Sequence, residues 1–477
     1  MNDQTMRLPR LAVLLLFVWS ANHPAQATSV TGRIADSRTG ETLPARLYIR
    51  GDQGSWHFAE SSDPARPAVQ YAKTNWINPN AVECHVTLPA APFRVDLPPG
   101  NYTLIVERGK EYRPLTQQVE VATQPVELSL PIRRWIRMAE RGWFSGETHL
   151  HRTPAELTNV VLAEDLNVAF PLSFWVTQAF AAPGAGDRNM AGDFPARPLY
   201  ADSTHVIWPR NTEYEIFTVG DRPHTLGALF LLNHRSVFTN GTPPWGPVAA
   251  QARAEGALLD MDKLDWAFAF LLPPVTGAQL YELANNHMWR TEYAFTNYVS
   301  FAPPYLHPPY GSPCGNERDW TLYTLGMYYT LLDAGFRSVP AAGTASGVHP
   351  VPAGFSRVYV HLPDGFSYEK WVEGLAAGRS FVTTGPMLFA QVNERPPGET
   401  LRSVAVPARH RVTGTVVSEE PLAFIEVLHN GIAVRTLMPQ NREGLEGARE
   451  SSFDTEITTE RSGWIAVRCW EERPGGR

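Results

Sequence analysis

Apolar and polar residues alternate with a period of two over short stretches at both ends of the chain. Val30-Thr31-Gly32-Arg33-Ile34, Ala45-Arg46-Leu47-Tyr48-Ile49 and Phe93-Arg94-Val95-Asp96-Leu97 alternate, and Pro98-Pro99-Gly100-Asn101 turns the chain into Tyr102-Thr103-Leu104-Ile105-Val106. Side chains two apart on a strand share a face. Short strands split by Pro/Gly turns predict a β-sandwich over residues 28 to 132. From about 133 to 390 the period changes. Helical stretches are expected at Pro154 to Leu166, Pro247 to Glu255, Trp320 to Ala334 and Ser367 to Ala377, and strands at Glu213 to Val219, Ala228 to Leu232, Ala257 to Met261 and Leu280 to Leu283. That order predicts a central α/β layer or barrel. From 391 to 477 the chain reads as β again: Arg411 to Val417, Phe424 to His429, the hairpin signal His429-Asn430-Gly431, and Gly463 to Arg468. Its turn-like ending, Glu471 to Arg477, predicts a second sandwich lacking a strand or two.

The first residues read differently. Arg7 and Arg10 precede the apolar run Leu11 to Trp19, and Ala25-Gln26-Ala27 offers a small-residue cleavage site. Residues 1 to 27 are therefore expected to be a signal peptide, and the mature chain to be periplasmic or extracellular. No later apolar run has transmembrane length. With 41 Lys and Arg against 48 Asp and Glu, the net charge is −7 and no basic patch stands out, which argues against nucleic acid as a partner. A small-molecule substrate is expected instead. Cys84, Cys314 and Cys469 lie far apart, permit one disulfide in an oxidising compartment, and form no Cys-x-x-Cys pair.

The chemistry concentrates around Gly146-Glu147-Thr148-His149-Leu150-His151, which follows the apolar Gly142-Trp143-Phe144. On a strand His149 and His151 project together, and two neutral imidazoles suit a divalent metal. Glu147 shares their parity and is a candidate to ligate or to hold an imidazole by its second nitrogen. Further candidates follow: Glu213 and Glu215 alternating on one strand, His224, His234, Asp262 after an apolar strand, Glu282 and His287 about Leu283-Ala284-Asn285-Asn286, and His349 in a glycine-rich loop. A lone strand-end histidine is more often a hydrogen-bonding residue than a ligand; here the number of candidates carries the metal reading. Glu164-Asp165 ends a helical stretch and reads as surface charge.

Three resemblances follow from these segments. The N-terminal V-T-G-R-I, T-G-E and L-P-P-G-N-Y-T-L resemble carboxypeptidase-regulatory or transthyretin-like modules, which imply no chemistry. G-E-T-H-L-H-R, E-Y-E-I with H-T-L-G, and G-T-A-S-G-V-H-P resemble successive segments of the PHP (polymerase and histidinol phosphatase) superfamily. A-E-D-L-N-V, Y-E-L-A-N-N-H-M-W-R and G-R-S-F-V-T-T-G-P are similar to the CehA/McbA-type metallohydrolases, exported relatives of carbaryl hydrolase. The resemblance covers roughly residues 133 to 390. It implies a distorted β/α barrel with His149, His151 and His224 as ligands, and Glu213 or Glu215 as a bridging carboxylate, with Glu282 and His287 joining the site. Three positions depart from the pattern: Gln178, Asp262-Lys263, and Ala345 to Gly347 stand where the superfamily has histidine-bearing segments. Asp262 still offers a ligand, and His349 or His234 is a substitute for a lost one, so one or two ions are expected.

The implied activity is hydrolysis of an ester, carbamate or phosphoester by water activated on a divalent metal. Histidine-rich ligation favours zinc, with manganese or iron also compatible with carboxylates. Glu282 or His287 is expected to carry protons, and Arg290 or Arg235 to stabilise developing negative charge. Trp289, Trp245, Tyr305 and Tyr310 either wall an apolar pocket or pack as ordinary core. The competing expectation is a decayed hydrolase domain serving as a binding or scaffold module of the cell envelope.

Overall fold

The computed structural model describes residues 27–472 except 77, 225, 264–268 and 287–316. The expected signal segment, His287, Arg290, Trp289, Tyr305, Tyr310 and Cys314 lie outside the described residues. Cys84 and Cys469 are both free thiols.

The N-terminal alternation becomes two sheets. One runs, in spatial order, Glu60–Ser61, Phe93–Leu97, Thr28–Asp36, Val126–Arg134 and Tyr112–Arg113; the other runs Leu115–Val121, Gly100–Glu107, Ala45–Gly51, Val82–Leu88 and Val69–Thr74. Val30 and Ile34 from the first and Leu47, Ile49, Leu104 and Val106 from the second meet in one buried apolar cluster. Each such burial contributes about 1.5–3 kcal/mol, and the period of two decides which side chains supply it.

The central strands fall into two sheets. Leu199–Tyr200, Val206–Ile207, Val168–Pro171, Trp143–Leu150, Arg357–His361 and Ser380–Thr383 form one; Phe174–Gln178, Thr212–Val219, Ala228–Leu232, Leu258–Asp262, Leu280–Ala284 and Val339–Ala342 form the path of the other. Leu258–Asp262, Leu280–Ala284 and Val339–Ala342 are mutually parallel, whereas Thr212–Val219, Ala228–Leu232 and Leu258–Asp262 pair antiparallel. A closed ring of parallel strands is therefore not what the described residues form. The reason lies in the connections: a short hairpin joins Thr212–Val219 to Ala228–Leu232, and only a long crossover permits parallel pairing. An isolated parallel bridge links Leu150 to Ser346.

The two central sheets share an interior. Phe144, Phe170, Val358 and Val360 from one meet Ala228, Phe230, Leu232, Leu258 and Leu280 from the other. The opposite face, with Leu229, Leu231, Leu259 and Met261, packs against Val248, Ala252 and Tyr328 of the helices Trp245–Ala254 and Glu317–Asp333. Burial on both faces explains why Ala228–Leu232 reads as a continuous apolar run. The helix Pro154–Ala163 opens with a Thr153/Glu156 capping box and a proline in its first turn. It ends before Glu164 and Asp165, which are not surface charges. Glu164 is ion-paired with Arg46, and Asp165 lies 3.2 Å from Arg108 and 2.7 Å from Arg134.

The last strands also make two sheets, Met387–Val392, Ala408–Ser418, Arg449–Thr459 and Arg442–Glu443 in one, and Ile432–Leu437, Leu422–His429 and Ile465–Glu471 in the other. Val412, Val416, Ile425, Val427 and Phe453 are buried together between them. Among the described residues no helix is long and apolar enough to cross a membrane.

Candidate metal centre

Strand register builds this site. In the antiparallel ladder Glu213 lies opposite Phe230, and Phe230 opposite Asp260; one step along, Glu215 lies opposite Ala228, and Ala228 opposite Asp262. Paired residues point to the same face. Phe230 and Ala228 line the interior between the central sheets, so Glu213, Glu215, Asp260 and Asp262 face inward with them. Leu280 pairs with Asp260 in parallel, and Glu282, two residues on, keeps its side. Across this acidic row stands the end of Trp143–Leu150, where all eight residues are buried. His149 packs edge-on against Phe230, with ring centroids 4.5 Å apart.

The side chains converge. His149 Nε2 and His151 Nε2 are 3.1 Å apart. His149 Nδ1 is 2.9 Å from Glu282 Oε2 and 3.9 Å from Asp262 Oδ2, and His151 Nε2 is 3.3 Å from Glu213 Oε2. His149, His151 and Glu213 form one ligand-capable group and His149, Asp262 and Glu282 another, with donor atoms in each within 4.8 Å of one another. Trp175 lies against the His151 ring at 4.3 Å and donates its indole N–H to Glu215 Oε2 at 3.1 Å. Lys263 Nζ sits 2.5 Å from Asp262 Oδ2 and 3.5 Å from Glu215 Oε1.

The electrostatics are those of a site short of positive charge. Burial, then repulsion from Asp262 and Asp260, raises the Glu282 carboxyl well above the ordinary range. Burial and Glu215 do the same to Glu213, and burial pushes Asp260 up to about 8. Burial favours neutral imidazole at His149, down to about 3, and at His151, well below the usual value. Burial alone would raise Asp262; the Lys263 ammonium outweighs it and holds this carboxyl low. One ammonium cannot balance this many buried carboxylates, so Glu213, Asp260 and Glu282 tend to hold protons that a cation would displace. Neutral imidazole nitrogens beside carboxylate oxygens are the donor set of a zinc-type ion, and a tetrahedral ion about 2.0–2.1 Å from each donor spaces its donors by roughly 3.3 Å. The residues fit a divalent cation.

Other candidates stand elsewhere. Glu147 neither ligates nor holds an imidazole. It accepts hydrogen bonds from the Thr344 N–H at 2.7 Å, the Thr344 hydroxyl and the Gly354 N–H at 2.6 Å, and so pins the loop after Val339–Ala342. His234 lies beyond Leu232, at the end of its strand away from the Ala228–Asp262 rung. Its Nε2 pairs with the Thr212 hydroxyl at 2.9 Å and its Nδ1 donates to the Ser236 carbonyl at 2.7 Å, which uses both ring nitrogens. Arg235, beside it, is exposed. His224 follows the hairpin strand Arg222–Pro223, where its backbone N–H donates to the Phe217 carbonyl, and it belongs to neither ligand-capable group. His349 also falls outside both groups. Asn286 Nδ2 reaches its Nε2 at 2.8 Å, and the Trp76 ring lies against it, tilted by 51°, with centroids 4.7 Å apart. Trp245 is buried in the helix-side core.

Sequence reasoning missed Asp260, Lys263, Trp175 and the asparagine pair. Asp260 is two residues from Asp262 on a strand, so the parity rule that joined His149 to His151 would have found it. Asn285 Nδ2 reaches Asp262 Oδ1 at 3.3 Å, a contact that no local pattern announces.

The result is a buried, carboxylate-rich histidine centre suited to a divalent cation. No protein-family model matches the chain, and no curated protein does. Among solved structures it is similar to a two-domain protein from Bacteroides vulgatus containing a predicted PHP-like metal-dependent phosphoesterase, at 10% identity over 68% of this chain and 88% of that one, with a TM-score of 0.31. It is also similar to phospholipase PlaB from Legionella pneumophila, at 18% identity over 24% of this chain and 27% of that one, TM-score 0.15. A third likeness is to the Bacillus anthracis TIE protein, at 15% identity over 27% of this chain and 20% of that one, TM-score 0.16. With TM-scores this low, only the side chains speak to function.

Proposed function

We propose that this chain is a metal-dependent hydrolase of the PHP type, akin to the CehA/McbA enzymes, exported and acting on an ester, carbamate or phosphoester of a small molecule. In this reading residues 133 to 390 are the catalytic unit, and the paired sheets at 28–132 and 391–477 are accessory modules. One observation supports it above the others: His149, His151, Glu213, Asp262 and Glu282, drawn from four separate segments, bring their donor atoms together in two groups that share His149, every residue but His151 being buried.

His149, His151 and Glu213 would hold the ion, and zinc suits that set best. When bound, a divalent ion supplies Lewis-acid polarisation of the scissile group and activation of water at neutral pH. The chain's own groups do the rest. With Nδ1 protonated, His149 donates to Glu282 through that nitrogen and keeps the Nε2 lone pair facing His151, the tautomer a ligand through Nε2 requires. Glu282 is thereby a positioning residue for His149 rather than a proton carrier. Trp175 and Phe230 wall the two imidazoles and exclude bulk water from them. Asn286 orients His349, which lies near enough to His151 to act on its charge, a place suited to accepting a proton.

The test is element-resolved metal analysis of the wild type beside a His149→Ala/His151→Ala double variant, followed by an ester, carbamate and phosphodiester panel. The wild type should carry a transition metal in stoichiometric amount, and the variant at least tenfold less. A wild type that stays metal-free after dialysis against zinc and manganese would sink the proposal and favour a binding or scaffold role.

A further inference from the structure

Lys263 is the one cation that contacts the carboxylates of this centre among the described residues. Along a regular strand neighbouring side chains point to opposite faces, so a lysine following Asp262 ought to leave the interior. It does not. Lys263 adopts φ +58°, the left-handed region that a long side chain rarely enters. That turn swings its stem back to the face Asp262 occupies, and the side chain is buried there. Backbone strain of this kind persists where the surroundings enforce it.

The ammonium then completes two carboxylates. Asp262 has Oδ2 on Lys263 Nζ at 2.5 Å and Oδ1 on Asn285 at 3.3 Å. Glu215 has Oε1 at 3.5 Å from the same Nζ and Oε2 on the Trp175 indole at 3.1 Å. All four oxygens have a cationic or N–H partner. Asp262 Oδ2, 3.9 Å from His149 Nδ1, is the oxygen Lys263 holds. The group of His149, His151 and Glu213 includes no atom that Lys263 holds.

We propose that the Lys263 ammonium is a built-in substitute for a second divalent ion, so the centre takes one exchangeable metal, on His149, His151 and Glu213. This rests on the metal-centre reading above and deepens it. A compact ammonium with three donors satisfies Asp262 and Glu215 as a point charge, and it cannot be lost to a chelator.

The experiment is metal stoichiometry of the full chain after equilibrium dialysis against Zn2+ and against Mn2+, for wild type, Lys263→Met and Lys263→Arg. One ion is expected in the wild type and in the arginine variant, and two in the methionine variant, a twofold rise. In Mn2+-loaded Lys263→Met, electron paramagnetic resonance should show two coupled ions, and in the wild type an isolated one. Two ions in the wild type, or one ion in a folded methionine variant, overturns the substitution while leaving the metal-centre reading intact. No metal in either protein sinks the reading beneath it as well. If the methionine variant fails to fold, the wild-type count and its resonance spectrum decide alone.

Discussion

Gly343 shows how tightly single residues fit this centre. A Cβ at that position would lie 2.2 Å from the Cβ of His149 and 2.7 Å from Glu282 Oε1. Neither neighbour can yield without breaking the His149 to Glu282 hydrogen bond at 2.9 Å. Gly343→Ala should therefore destabilise the fold by about 1–3 kcal/mol through overpacking, and weaken metal binding about 10–100-fold, the scale of losing a ligand's supporting partner. Thermal denaturation and a competitive chelator titration would measure the two effects; unchanged metal affinity would mean that Glu282 does not position His149. The same scale explains what the sequence discloses. His149 and His151 stand out because parity on a strand is a local rule, and Glu213 with Glu215 obey it too. Lys263 escapes because a positive φ breaks the alternation on which that rule depends. Glu147 has the right parity and the wrong partners, since Thr344 and Gly354 reach it from 197 and 207 residues further along the chain.

Between elements, the notable contact is made by the N-terminal strand Val69–Thr74. The Tyr71 hydroxyl donates to the His349 carbonyl and accepts from the Gly347 N–H at 2.8 Å, while Arg152 stacks over its ring at 4.5 Å. Gly347 permits this: at φ +112° it brings the loop so close that a Cβ would lie 2.2 Å from the His151 carbonyl oxygen. An N-terminal sheet thus clamps the loop that carries His349. Tyr71→Phe removes both hydrogen bonds and leaves a buried carbonyl and N–H to find other partners. The expected cost is about 1–3 kcal/mol, read as a lower melting temperature and faster hydrogen exchange at the Gly347 amide. Unaltered exchange at Gly347 would show that the loop is held without the N-terminal sheet. Elements are also where sequence reading succeeds best here. The periodicity predicts helices at 154–166, 247–255, 320–334 and 367–377, and they lie at Pro154–Ala163, Trp245–Ala254, Glu317–Asp333 and Tyr368–Ala376. Periodicity locates elements because burial enforces it; their ends shift where tertiary partners intervene, as the arginines do at Glu164 and Asp165.

At the scale of the molecule, pairing between distant elements is what periodicity cannot supply. An α/β alternation was visible, yet whether a strand joins its neighbour by hairpin or crossover depends on loop length and direction, and here that choice divides the central strands into two sheets. The charges that lock the N-terminal sheets to the central unit were equally hidden, because Arg46, Arg108 and Arg134 meet Glu164 and Asp165 only after folding. His205 closes this network: its Nδ1 lies 2.9 Å from Asp202 and its Nε2 3.6 Å from Asp165. Burial alone would lower its pKa, but the two carboxylates outweigh burial and raise it above the ordinary value near 6.5. A histidine whose folded pKa is raised binds its proton more tightly in the native state. Its contribution is complete below about pH 6.5, the unfolded value, and disappears as pH climbs through the folded one. His205→Gln keeps a donor for Asp202 but no charge. The variant should be less stable than the wild type by about 1.5–3 kcal/mol at pH 5.5, the scale of a hydrogen bond to a charged group, and the gap should narrow toward pH 8.5. Denaturant titrations of both proteins at the two pH values isolate the effect from the metal centre, because that contribution is common to both and cancels in the difference. A gap that is constant, or that widens with pH, would mean the imidazole is neutral in the native state and that the arginines alone hold Asp165.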